Sequence, residues 1–267
     1  MNGTRILGVV LGLVLVVGCE PKKKYVAPAS NEEHVTKVDV SPAVRAAVLE
    51  APDRSDDDKK LDVGRKPAEL VTFAGIQPGM KVADLVAGGG YTTEALVRAV
   101  GPTGVVYGHN TQAILDKFAG KAWGERLARP VNKSVVKVTR ELEDPLPPEA
   151  KDLDAVFLVL FYHDTFWMKV DQAKMNAAVF RALKPGGVFI VVDHSGKAGS
   201  GTTEVKTLHR IEEAVVRSEV PAAGFRLGAE ASFLRNAEDK RDWNAAPGEA
   251  GDKRGTSDRF VLKFVKP

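Results

Sequence analysis

Val82-Ala83-Asp84-Leu85-Val86 runs without a break into Ala87-Gly88-Gly89-Gly90-Tyr91-Thr92-Thr93-Glu94. The first half is apolar apart from one acid. The second is a glycine turn followed by a helical period, so the stretch spells strand, tight turn and helix. Such a turn brings backbone N–H groups and the positive end of a helix beside a bound nucleotide-like ligand. Glycine is needed where a Cβ would block close approach or forbid a positive φ. Tight turns also use glycine for geometry alone, so the motif by itself leaves a ligand loop and a structural turn both open.

Outward from this turn, apolar runs alternate with helical periods. Val105–Gly108, Val135–Val138, Ala155–Phe161 and Val188–Asp193 read as further strands, with helices over Thr92–Val100, Thr111–Leu127 and Val170–Leu183. Met175, Val179 and Leu183 recur every four residues, the spacing of one helix face. This alternation predicts one α/β domain, a doubly wound, mostly parallel sheet with helices on both faces. Gly224–Ala231 and Arg259–Val265 close the chain as strands around a long polar loop, Asn236 to Asp258. Upstream, Ser41-Pro42 has the form of a helix start, and a helix over Pro67–Ala74 is expected to stop at Gly75. Asp56-Asp57-Asp58 reads as a solvated loop or helix entrance, because consecutive carboxylates cannot all face one ion.

Composition narrows the function classes. The 267 residues are 44% hydrophobic and 27% charged, with a net charge of +3, which gives no electrostatic case for nucleic acid as a partner. The lone cysteine, Cys19, excludes an internal disulfide and any multi-cysteine metal centre. It follows the apolar stretch Ile6 to Gly18, which at about 20 Å of helix is too short to span a bilayer. A basic start at Arg5, a short apolar region and small residues at the break read as an export signal.

Val16-Val17-Gly18-Cys19 resembles the lipobox of bacterial lipoproteins. The resemblance implies a signal peptide over residues 1–18 and a lipid on Cys19 as membrane anchor. Residues 19–40 would then be a flexible tether and 41–267 the folded body, on the periplasmic side of the cell envelope. Leu183-Lys184-Pro185-Gly186-Gly187 and Gly101-Pro102-Thr103-Gly104, each ahead of a strand, join the first glycine turn in an order that resembles class I S-adenosylmethionine-dependent methyltransferases. More narrowly, Tyr162-His163-Asp164, Asp193-His194, Leu208-His209-Arg210-Ile211 and the ending Asp258-Arg259-Phe260-Val261-Leu262-Lys263-Phe264 resemble a family of exported bacterial "predicted methyltransferases". This resemblance implies a Rossmann-like sheet with an antiparallel C-terminal strand. It also implies S-adenosylmethionine against Asp84, Ala87, Gly88, Gly89, Gly90 and Tyr91, with Asn110 near the ribose, and methyl transfer to a small-molecule acceptor. Two residues depart from the superfamily pattern. Val86 stands at a usual glycine, and Asn110 ends the second strand where an acid usually holds the ribose hydroxyls. A neutral acceptor there gives up about 1 kcal/mol. The alternative reading is a catalytically inactive binding or scaffold lipoprotein that keeps the fold.

Ligands of open α/β sheets sit beyond the carboxyl ends of the strands. Four of the five histidines are expected there: His109 after the second strand, His163 after the fourth, His194 after the fifth and His209 in the following helix. His163-Asp164 and Asp193-His194 each pair an imidazole with a carboxylate. As acid–base groups, His163 or His194 would take the acceptor's proton while a carboxylate orients the ring. As metal ligands, Asp164, Asp193 and His194 occupy places comparable to the magnesium set of catechol-type methyltransferases, with histidine favouring zinc or another transition ion. As structural groups they would cap loops and satisfy backbone. All three readings stay open at this level.

Overall fold

A computed structural model describes residue 1 and residues 35–267 of the chain; the signal segment, Cys19 and most of the tether lie outside the described residues. Seven strands form one sheet: β1 (Lys81–Leu85), β2 (Val105–Asn110), β3 (Val135–Thr139), β4 (Leu153–Val159), β5 (Leu183–His194), β6 (Arg226–Ala231) and β7 (Arg259–Val265). Their order is β3-β2-β1-β4-β5-β7-β6, parallel from β3 through β5, with β7 antiparallel to both β5 and β6. The C-terminal strand is thus the one that runs against the rest, as the resemblance implied.

The central strands β1, β2, β4, β5 and β7 are apolar on both sides because both of their faces are covered, whereas the edge strands β3 and β6 are partly exposed. Ala83, Leu85, Val156, Leu158, Phe189, Val191, Leu262 and Phe264 enter one core, and Val82, Val106, Ala155, Phe157, Ile190, Val192 and Val261 enter the other. Alternate residues of one run therefore serve opposite cores, which is the period-two rule applied twice. The helices that cover them are α1 (Pro42–Val48), α2 (Asp56–Arg65), α3 (Pro67–Ala74), α4 (Tyr91–Val100), α5 (Gln112–Ile114), α6 (Gly120–Leu127), α7 (Tyr162–Trp167), α8 (Gln172–Ala182) and α9 (Glu213–Ala222). Ser41 caps α1 by accepting from the Val44 N–H at 3.2 Å, and α3 ends on Gly75 at φ +78°. Among the described residues, no helix is long and apolar enough to cross a membrane.

Several expectations are corrected. The helix expected over Thr111–Leu127 is broken by a π-helical turn, Leu115–Ala119, between α5 and α6. The fourth strand stops at Val159, and Tyr162 onward turns into α7. Leu183 to Gly187 belong to β5 rather than to a separate turn. His209 lies in a turn at φ +49°, and the helix that follows β5 begins only at Glu213. Asp56 and Asp57 are exposed in the first turn of α2, but Asp58 is buried and paired with Arg126 at 2.7 Å and Arg129 at 3.2 Å. The long polar segment before β7 is the loop that the sequence predicts, without an α-helix, and it is held by a buried ion pair, Arg210 to Asp239 at 2.9 Å, with Arg210 also over the Trp243 ring at 4.7 Å.

Candidate functional site

The glycine turn leaves β1 at Val86, which sits in the left-handed region at φ +50°. That conformation strains a β-branched residue, whereas glycine adopts it without cost. Val86 N–H lies 3.3 Å from His109 Nδ1, Ala87 N–H donates to the His109 carbonyl at 2.8 Å, and Gly90 N–H donates to the Ala87 carbonyl at 2.8 Å. Asn110 holds Gly88 twice: its Oδ1 accepts from Gly88 N–H at 2.9 Å and its Nδ2 donates to the Gly88 carbonyl at 3.2 Å. Asn110 is fully buried, and both ends of its amide are spent on the turn. The Gly89 N–H alone in Val86–Gly90 has no partner among the described residues.

The three glycines differ in what they do. A Cβ on Gly90 would come within 2.7 Å of the Trp123 ring, and one on Gly89 within 3.2 Å of Ala122 Cβ, so both serve close packing of α6. Gly88, at φ +56°, has nothing within 4 Å of the missing Cβ. Its free face, with the Gly89 N–H beside it, is the cradle that a ligand could fill. These residues fit a nucleotide-like cofactor, with Asn110 bracing the loop where the resemblance implied a ribose contact.

Asp84 and α4 keep the turn in place. Asp84 Oδ2 accepts from the Thr93 hydroxyl at 2.6 Å, and burial pushes the Asp84 carboxyl up to about 7. Behind α4, Arg126 Nε donates to the Gly89 carbonyl at 3.1 Å while its terminal nitrogens bond Asp58 and Glu94 at 2.7 to 2.8 Å. Arg129 and Asn132 bond the same Glu94. Tyr91 Oη donates to Asp62 Oδ1 at 2.6 Å, and Asp62 is in turn gripped by Arg54.

At the ends of β4 and β5 the expected imidazole–carboxylate group does converge. His163 Nδ1 lies 2.7 Å from Asp193 Oδ1, and the His163 backbone N–H donates to Asp193 Oδ2 at 2.7 Å. On the other side of the ring, Nε2 is 3.1 Å from His209 Nδ1 and 3.1 Å from Asp164 Oδ1. His209 Nδ1 is 3.2 Å from that same oxygen, and the Trp167 indole N–H donates to it at 2.6 Å. Burial alone would lower the His163 pKa, but Asp193 and Asp164 outweigh it and push the ring up to about 10. Asp164 is held well below the usual carboxylate range despite its burial, through its bonds from His163 and His209. An imidazolium between two carboxylates orients charge; it does not accept a proton at neutral pH. The acid–base role expected of His163 therefore gives way to an orienting one.

The other candidates have other roles. His194 packs edge-on against the His163 ring, with centroids 5.8 Å apart, but it is buried, bonded through Nδ1 to the Ser257 hydroxyl at 2.7 Å, and kept neutral by burial and by the nearby Arg259. His109 lies within β2, with Nε2 2.9 Å from the Arg140 carbonyl; burial lowers its pKa to about 4, so it serves the backbone. The metal set expected from the sequence, Asp164, Asp193 and His194, is not what meets, because Asp193 spends its oxygens on His163 and on the His194 N–H. His209 takes their place.

Arg65, at the end of α2, lines a cleft with Pro67, Leu70, Tyr91, Thr92 and Val159. Its guanidinium has no hydrogen bond or ion pair among the described residues, and burial depresses its pKa while Tyr91 and Asp84 attract its charge. The same charge is felt at His194 and Arg259, so one side chain faces both halves of the rim. Nothing in its sequence neighbourhood marks it. Three non-glycine residues with positive φ also lie at this rim: Val86, Leu160 and His209. Strained backbone of this kind concentrates at functional sites.

No family model matches the sequence. Solved structures do share the architecture. A SAM-dependent methyltransferase from Aquifex aeolicus is 18% identical with a TM-score of 0.54, over 85% of this chain and 95% of that one. A chain from the complex between the Haloferax volcanii Trm112 methyltransferase activator and a methyltransferase is 16% identical with a TM-score of 0.55, over 85% and 98%. The [4+2]-cyclase SpnF is 16% identical with a TM-score of 0.52, over 76% and 80%. At these identities the likeness is one of fold, and the cyclase illustrates how one sheet carries different chemistries. The chain has the Rossmann-like fold of the S-adenosylmethionine-dependent methyltransferases.

Proposed function

We propose that this chain is a lipid-anchored, S-adenosylmethionine-dependent methyltransferase of the cell envelope that acts on a small acceptor. One observation carries the reading. The Gly88 cradle follows β1 and the His163 group follows β4 and β5, three neighbouring parallel strands whose carboxyl ends share one rim. Two strand spacings, about 10 Å, separate β1 from β5, a span that a cofactor and a small acceptor would bridge between them.

When bound, S-adenosylmethionine would supply an electrophilic sulfonium methyl. The chain's own part is positioning, which accounts for most of the rate in an in-line displacement. Gly88 and the Gly89 N–H would receive the cofactor, with Asp84, Ala87, Gly90, Tyr91 and Asn110 holding the turn rigid. The unpaired Arg65 guanidinium would meet an anionic group of the bound molecule at the start of α4. His163, Asp164 and His209, backed by Asp193, would orient the acceptor.

Calorimetry of the full-length chain in detergent micelles with S-adenosylmethionine tests this. Micromolar binding that is lost in Gly88→Asn, which tolerates the left-handed turn but fills its open face, supports the proposal. No heat at millimolar cofactor overturns it in favour of a scaffold that keeps the fold, a reading that the committed Asn110 amide favours. The location rests on Arg5, the apolar run to Gly18 and Cys19. A Cys19→Ser chain that still partitions with membranes would remove the lipid from the proposal.

A further inference from the structure

We infer that His163 Nε2, Asp164 Oδ1 and His209 Nδ1 form a site for one divalent transition-metal ion, with Asp193 as the outer carboxylate that fixes His163. The three donor atoms make a nearly equilateral triangle with sides of 3.1, 3.1 and 3.2 Å. An ion about 2.1 Å from each donor would stand about 1 Å out of their plane and see donor–metal–donor angles of about 95°. That is one face of an octahedron, since a tetrahedral set at the same bond length needs sides of about 3.4 Å. Two imidazoles and a carboxylate suit first-row transition ions, whereas magnesium and calcium prefer all-oxygen shells.

The outer contacts point the same way independently. A metal-bound histidine characteristically gives its other ring N–H to a carboxylate, which fixes the tautomer and aims the lone pair. Asp193 does this for His163 through Oδ1 at 2.7 Å, and its Oδ2 anchors the His163 backbone. Asp164 is braced by the Trp167 indole N–H at 2.6 Å, while the side chain of His209 remains 23% exposed and Trp167 39% exposed. The inner donors are thus held from behind, with His209 the most exposed of the three. Positions that the chain leaves unfilled would take water or an oxygen or nitrogen donor of a second molecule. The site goes beyond the methyltransferase reading and does not depend on cofactor binding.

The test titrates chelator-stripped, full-length chain in detergent micelles with Zn²⁺ by calorimetry and with Co²⁺ by visible absorption. One ion per chain is expected, with the weak Co²⁺ bands of a five- or six-coordinate centre and no competition from millimolar Mg²⁺. His209→Ala and Asp164→Ala should each weaken binding by roughly tenfold or more, while Asp57→Ala, on the exposed start of α2, should leave it unchanged. Circular dichroism of both variants confirms that they fold. Absence of stoichiometric binding, or undiminished binding in both folded variants, overturns the inference. S-adenosylmethionine titrations repeated with chelator present show separately whether the cofactor reading stands.

Discussion

Asp193 holds His163 at two points, one oxygen on the ring Nδ1 and the other on the backbone N–H, each at 2.7 Å. A buried aspartate that grips one residue through both side chain and main chain fixes the ring's direction as well as its charge. In Asp193→Asn the main-chain bond can survive, but one of the two charges that offset burial is gone and only Asp164 remains. His163 should then titrate clearly below its value of about 10 in the metal-free parent. Histidine ring NMR resonances followed across pH check this.

Val86 offers an inverted stability order. Val86→Ala keeps the positive φ and gives up packing against the core, which costs on the order of 1 kcal/mol. Val86→Gly also gives up that packing but removes the left-handed penalty of about 1–2 kcal/mol. The glycine variant should therefore unfold at higher denaturant than the alanine variant, the reverse of the usual ranking. Equal midpoints for the two would contradict the strain.

Arg126 ties the turn to the buried carboxylates behind it. Arg126→Met would leave Asp58 and Glu94 with only part of their compensation, Arg129 and Arg98, and should destabilise by about 3–5 kcal/mol. Guanidinium unfolding with an unchanged slope is the measurement. Asp58 is already held down to about 2 by these arginines, against its burial, so the variant should also lose stability less steeply as pH falls.

Asp84 and His109 give pH dependences of opposite sign. The Asp84 carboxyl is raised by burial to about 7, so its contribution is complete below pH ~4 and is lost as pH rises through about 7. His109 is lowered by burial to about 4, so its contribution is complete above pH ~6.5 and is lost as pH falls through about 4. The shifts correspond to roughly 3–5 kcal/mol at their full extent. Asp84→Asn should remove the loss toward neutral pH, and His109→Gln should remove a loss toward acid. Melting curves at several pH values separate the two.

The sheet was legible because its central strands are covered on both faces, and such strands are continuous apolar runs. Val105–Gly108 and Arg259–Val265 needed little beyond this. The strand–glycine–helix motif was legible for the same local reason. What escaped depends on partners far along the chain. Asp58 looks solvated until Arg126 and Arg129, 68 and 71 residues away, fold over it. His209 is legible as a residue of this rim but not by its conformation: it sits in a turn with no periodic pattern rather than on a helix, and the return of that turn to α7 brings its ring to His163. Among three identical glycines, the sequence cannot separate Gly88 from Gly90, because the distinction is made by Trp123 on another helix.

The three tryptophans give the molecule an optical readout at each of its key places. Trp123 is buried against Gly90 beneath the turn, Trp167 bonds Asp164 at the histidine group, and Trp243 stacks under Arg210 in the C-terminal loop. Intrinsic fluorescence from chains that retain a single indole would therefore report cradle, donor triangle and loop one at a time. Arrival of a nucleotide or of an ion could be followed without attaching a dye.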